Sequence, residues 1–234
     1  MRYPAYLEVG PEGDSLAYVF LLPGLQALEA SPEAALAALP QAVTEEIARL
    51  ARHERPWPWA AEPVEIVETE RIAVTGDVRQ GKSSALFRYE LRPTRAEDVA
   101  LALDRLELSR RDLLAALEAL RMARGDDWES VREGPDSPQA GETARRAADG
   151  ELWLLTRLGS GIEMRLPEAP LERLEAVRAR TIERLANLLP GDLERHAVFA
   201  GEPWTTRKVL RRLVCHERVH GHALARLAPA ESAW

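Results

Sequence analysis

From Thr94 to Leu227 the chain carries four segments whose apolar residues recur at helical spacing, with no alternating segment between them. Few folds satisfy that pattern. An amphipathic helix buries one stripe, and with no sheet to pack on, four such helices must bury their stripes against one another. In the first, Val99, Leu101, Leu103, Leu106, Leu113, Leu114, Leu117 and Leu120 fill the pattern after the capping-box run Thr94-Arg95-Ala96-Glu97. The others cover residues 142–158, closed by Gly159; 170–189, ended by Pro190; and 205–227, ended by Pro229. A polar loop, RGDDWESVREGPDSPQAGE, joins the first two. The expectation is an up-down four-helix bundle over residues 93–234.

Upstream of Pro93 the period changes. YLEV and LAYVFLL alternate on either side of Gly10-Pro11-Glu12-Gly13-Asp14, a hairpin signal. A helix follows, with Ser31 as N-cap, Pro32 at its first position and Leu36, Leu39, Val43, Ile47 and Leu50 on one face. Pro40 marks a kink or restart, and His53 caps the end, where a cation suits the helix dipole. After the proline-rich ERPWPWAAEP, the runs VEIVE, RIAVTG and ALFRYELRP read as strands. The fold class is therefore α+β: a small α+β domain with hairpins over residues 1–92, then the bundle.

GDVRQGKSS, within the strand-rich half, matches the G-x-x-x-x-G-K-S pattern of a phosphate-cradling loop, with Lys82 and Ser83 in the chemical positions. Such a loop must join a strand to a helix inside a parallel sheet, and SSALFRYELRP after it alternates like a strand. The run reads as a hairpin turn formed by Gly76, Asp77 and Gly81 with Lys82 exposed, and no nucleotide site is expected. A formal net charge of -7 argues against nucleic-acid and anionic-membrane partners. No apolar run approaches a membrane span and the start lacks a signal-peptide order, so a cytoplasmic location is expected, in keeping with the single cysteine, Cys215.

The last helix, WTTRKVLRRLVCHERVHGHALARLAP, carries the chemistry. His216 and His220 stand one turn apart, on a stripe with Val209, Leu213, Leu224 and Leu227 that faces the interior. Two buried imidazoles need partners for their nitrogens, either a divalent metal or hydrogen bonds from neighbouring groups. His216-Glu217-Arg218-Val219-His220 also spells H-E-x-x-H, but Ala223 and Arg226 occupy the places of the extended protease motif and no distant glutamate follows, so a zinc protease is not expected. His222 is rotated away from the pair and Cys215 reads as a small packing residue. His196 reads as a loop contact or a group at the mouth of the site, Trp153 and Trp204 as anchors, and Arg207, Lys208, Arg211 and Arg212 as a solvated outer face.

On LELSRRDLLAALEAL, ADGELWLLTRLG and GEPWTTRKVLRRLVCHERVHGHALARL, residues 93–229 resemble the DinB-like helical bundle superfamily. YLEVG…YVFLLPGLQALEASPEAALAALPQAVTEEIARL is similar to HicB-like antitoxin domains. The first resemblance implies a zinc or nickel ion held by His216, His220 and a second-helix histidine, and thiol-dependent transferase or hydrolase activity with a small thiol or protein partner. Carried onto this chain, the second-helix position falls near Arg146, and that helix contains no histidine. An arginine there opposes a dication and can instead pair with Glu217 or bond a neutral imidazole, while Asp149 and Glu151 are the nearby carboxylates that can substitute as ligands. Two functions follow: a metal-binding enzyme, or a metal-free bundle that binds or regulates a partner. Helix-face pairing makes a homodimer the expected assembly.

Overall fold

Strand β1 (Arg2–Val9) pairs antiparallel with β2 (Ser15–Tyr18) across a turn closed by Gly10 N–H to the Asp14 carbonyl at 2.8 Å. Strand β3 (Gln26–Glu29) extends the meander beside β2. The chain then crosses the sheet in helix α1 (Pro32–Arg52) and returns as β4 (Glu65–Ala73), parallel to β1, giving the order β3-β2-β1-β4. Ser31 Oγ accepts the Ala34 N–H, His53 caps the far end, and Ala35, Leu39, Val43 and Leu50 form the buried stripe. The helix runs through Pro40, which lies on its exposed face, where water can satisfy the Leu36 carbonyl that proline leaves unbonded. The structure describes residues 1–81, 84–159 and 164–228 of this computed structural model.

Three expectations for this half are corrected. VEIVE and RIAVTG are one strand, because pairing to β1 carries the extended chain through Glu68-Thr69-Glu70, with a register shift at Ala5/Tyr6. The run ALFRYELRP is not a strand: Arg88–Leu91 form a 3₁₀ turn closed by Glu90 Oε2 accepting the Phe87 N–H. Its alternation comes from Phe87 and Tyr89 packing with Tyr6 and Phe20, whose rings stack at 4.2 Å, rather than from a ladder. GDVRQG is likewise no hairpin. Val78–Gln80 form a 3₁₀ turn with Asp77 Oδ1 accepting the Arg79 N–H, while Lys82 and Ser83 lie outside the described residues. Among the described residues no α-helix follows before Ala96, so the strand-to-helix setting of a phosphate loop is missing.

By internal contacts the chain divides into two units, Met1–Arg92 with Val198–Pro203, and Pro93–Ala197 with Trp204–Trp234. The second unit holds α2 (Ala96–Arg124), α3 (Ala140–Leu155), α4 (Pro170–Ala186), the single turn α5 (Pro190–Leu193) and α6 (Thr206–Leu227). A short hairpin, β5 (His196–Phe199) and β6 (Glu202–Thr205), precedes α6 where a loop was expected. The α2 cap falls one residue later than its motif, with Asp98 accepting the Arg95 N–H, and Pro190 opens α5 instead of merely ending α4. Thr205 caps α6 through the Lys208 N–H. None of the helices among the described residues is long and apolar enough to cross a membrane.

The four long helices do not alternate up and down. Asp98 bonds Arg207, Arg110 bonds Glu217, and Leu113 lies against Gly221, so α2 and α6 run parallel. Trp153 meets Trp204 while Gly150 meets His216, so α3 is antiparallel to α6. Arg178 reaches the Leu106 carbonyl and Arg110 the Leu174 carbonyl, which makes α4 antiparallel to α2 and parallel to α3. The direction is up, down, down, up. Residues 159–169 permit it, because eleven extended residues reach about 36 Å whereas α4 is about 25 Å long.

Candidate functional site

His216 and His220 lie on the inner face of α6 with Val209, Leu213 and Leu224, all three fully or almost fully buried. Their rings contact edge to face, 4.5 Å between centroids. His216 Nε2 is 3.0 Å from the Ala147 carbonyl of α3. A carbonyl only accepts, so Nε2 carries the proton and Nδ1 keeps the lone pair. Gly150, one turn further along α3, makes room for this ring: a Cβ there would stand 2.2 Å from His216 Cε1. That close approach accounts for a glycine inside a helix, where it costs about 0.5–1 kcal/mol relative to alanine.

Both imidazoles are held neutral. Burial pushes the His216 pKa down, against the opposing influence of the Ala147 carbonyl, Glu217 and Glu151. Burial, then His216, then the Arg146 cation push His220 down to about 3. Arg146 lies near the place that the resemblance assigns to a histidine, and it acts on His220 through its charge. It does not pair with Glu217: its guanidinium bonds Glu142, one turn back on the same helix.

Glu217 belongs to a different structure. It is 1% exposed and bonds Arg110 of α2 at 2.6 Å and Arg178 of α4 at 2.5 Å. Glu151 of α3, also 1% exposed, bonds the same two arginines at 2.9 and 2.8 Å. One charged residue from each of the four long helices thus meets at the centre of the unit, two positive and two negative. Each arginine also donates to a main-chain carbonyl, Arg110 to Leu174 and Arg178 to Leu106. Burial raises the Glu151 pKa, but Arg178, Arg110 and a Thr181 hydrogen bond outweigh it and hold the carboxyl below its ordinary value.

The remaining candidates fall elsewhere. Asp149 is half-exposed and pairs with Arg173 of α4. His196 is exposed on β5, His222 is exposed on α6, and Cys215 is buried. The cationic face of α6 is not the solvated surface its composition suggests. Arg207, Lys208 and Arg211 are buried, Arg207 bonding Asp98 and the Pro93 carbonyl while the Lys208 ammonium sits 4.6 Å from the centre of the buried Trp204 ring.

Arg110 and Arg178 were not singled out from the sequence and Glu151 was considered only as a substitute ligand, although the criterion that singled out the histidines applies to all three. Arg110 stands between Leu106 and Leu113, and Arg178 between Leu174 and Thr181. Glu151 stands between Ala147 and Leu154. Each is a charge interrupting a buried seam.

Against this geometry a three-ligand metal centre fits poorly. Among the described residues no three His, Cys, Asp or Glu side chains are placed to hold one ion. Nε2 of His216 is bonded to a carbonyl, Glu217 is held by two guanidiniums, and a third cation, Arg146, acts on His220. Comparison with known proteins adds no relative: no family model, curated protein or solved structure matches this chain.

Proposed function

We propose that the helical unit is a metal-free bundle that acts by binding or regulating a partner, with the N-terminal unit, similar to HicB-like domains, as a second binding element. The observation that carries this reading is the placement of Glu217. In an H-E-x-x-H helix that carboxylate activates water beside a metal, and activation requires an accessible base. Here both its oxygens are held by Arg110 and Arg178 at the centre of four helices. His216, which is part-buried, fills a packing and hydrogen-bonding role against the Ala147 carbonyl and Gly150. The partner that the resemblances suggest is a protein or a small thiol, and no step of chemistry is assigned.

The competing reading is a weak two-histidine site completed by water, and it draws on one observation: His220 is kept neutral, so its ring retains a lone pair for a cation. Zinc and nickel titrated into chelator-treated protein separate the two. The proposal expects no stoichiometric binding tighter than micromolar and a melting temperature unchanged by chelator. One equivalent of either metal, retained through gel filtration and lost in His220→Ala, overturns it.

A further inference from the structure

An exposed face of α2 carries Glu107, Arg111, Leu114, Glu118 and Arg121, a single stripe at steps of four, three, four and three, every member exposed. Leu114, at its centre, is 42% exposed, and beside it lies a groove of about 470 Å³ floored by Leu114, Ala115, Leu117 and Leu171. Within the chain Arg111 pairs with Glu107 and Arg121 with Glu118, all four side chains about half in water. Such pairs are what a solvated helix face ordinarily shows. They do not account for an exposed leucine over an apolar groove at the midpoint of the stripe.

The order of charges does account for it. Along α2 the stripe reads negative, positive, leucine, negative, positive. Turned end for end it reads with every sign reversed. Two such stripes laid antiparallel about a two-fold axis at Leu114 set Glu107 of each copy against Arg121 of the other. Glu107 and Arg121 are both seven residues, about 10 Å, from the centre. The same superposition sets Arg111 against Glu118, three and four residues from the centre, or about 4.5 and 6 Å. The two Leu114 side chains meet on the axis, each beside the other copy's groove. A parallel arrangement would put like charges together at every position, so the pattern selects the two-fold one. We infer that this face of α2 is a dimer interface between two copies of this chain. The pairing has to work against a formal net charge of -7 on each copy, which the four local cross-pairs offset at short range while salt screens the rest.

Charge reversal tests the register. Arg111→Glu sets the introduced carboxylate against Glu118 twice across the axis, and Glu118→Arg sets the introduced guanidinium against Arg111 twice, so each variant alone should dimerise on the order of tenfold more weakly or worse. Mixed together, the two restore opposite charges at both positions and should recover the wild-type association as a heterodimer. Sedimentation equilibrium of wild type, each variant and the equimolar mixture reads all four cases, and far-UV circular dichroism confirms that these exposed substitutions leave the fold intact. Recovery in the mixture supports the interface. A wild type that stays monomeric up to millimolar chain, variants that associate as well as wild type, or a folded mixture that stays monomeric overturns it.

Discussion

Glu217→Gln removes one charge from the buried quartet at almost no change in volume. Glu217 accepts hydrogen bonds of 2.6 and 3.2 Å from Arg110 and 2.5 Å from Arg178. In the variant an amide NH₂ must face at least one of those guanidinium N–H groups, donor against donor, and the two arginines are left with the single carboxylate of Glu151. Breaking a buried pair in this way costs about 3–5 kcal/mol, because the surviving charge stays buried. Set against a domain stability of about 5–15 kcal/mol, that is a large fraction. With a urea slope of about 2 kcal/mol/M, the unfolding midpoint of the helical unit should fall by about 2 M, read by circular dichroism at 222 nm. Replacing the whole quartet, with Arg110→Met, Glu151→Leu, Arg178→Met and Glu217→Leu together, removes both signs at once and should stay within about 1 kcal/mol of wild type or exceed it. A Glu217→Gln midpoint within about 0.5 M of wild type would refute the quartet as described.

The titrations have definite signs. The His220 imidazole has an ordinary pKa of 6.5 and is lowered to about 3 in the fold, so below pH 6.5 the unfolded chain takes up a proton that the folded chain refuses. Stability is unaffected by His220 above that pH and falls beneath it by up to about 1.4 kcal/mol per unit; His220→Gln should flatten the slope of urea stability from pH 6.5 toward 5, and an unchanged slope would contradict the assignment. For Glu151, lowered from 4.5, the contribution is present above that value and is lost as pH falls through its folded pKa, so Glu151→Gln should abolish part of the acid limb at the expense of neutral stability. Gly150→Ala drives a Cβ into the His216 ring and should destabilise by about 1–3 kcal/mol, whereas in a His216→Ala background the same change should be close to neutral; additive effects in that cycle would show that the two do not touch.

What the sequence discloses here is local. Hairpin β1–β2, the Ser31 cap and the four long helices are written in periodicity and capping residues within a few positions of each other. The inward aim of His216 and His220 follows from the same counting. Helix direction does not, because Arg110 and Glu217 are 107 residues apart and nothing near either encodes that α2 and α6 run the same way. The cationic run of α6 misleads for a related reason. Arginine and lysine look solvated until a tryptophan ring, an aspartate and a main-chain carbonyl from distant positions are found beside them. Thr69, flanked by glutamates, similarly hides a continuous β4 that only pairing to β1 reveals.

The quartet also bears on why this order of helices is the one that forms. Apolar stripes alone fit several bundle directions at similar energy, and leucine against leucine sets no register. Arg110 of α2 reaches a carbonyl of α4, and Arg178 of α4 reaches a carbonyl of α2, so the two helices are clamped reciprocally at one offset. The backbones of α2 and α4 approach each other sparingly, and these two bonds tie the pair together directly. Glu151 and Glu217 neutralise the clamp and tie in α3 and α6. Any helix reversed or slipped by a turn would bury at least one of the four without its opposite charge, at about the same 3–5 kcal/mol that Glu217→Gln incurs. The all-apolar quadruple variant therefore separates stability from uniqueness: it should stay within about 1 kcal/mol of wild type or exceed it, yet show broadened, poorly dispersed amide resonances in the helical unit. Sharp, wild-type-like dispersion in that variant would mean that the apolar seams fix the direction of the helices unaided.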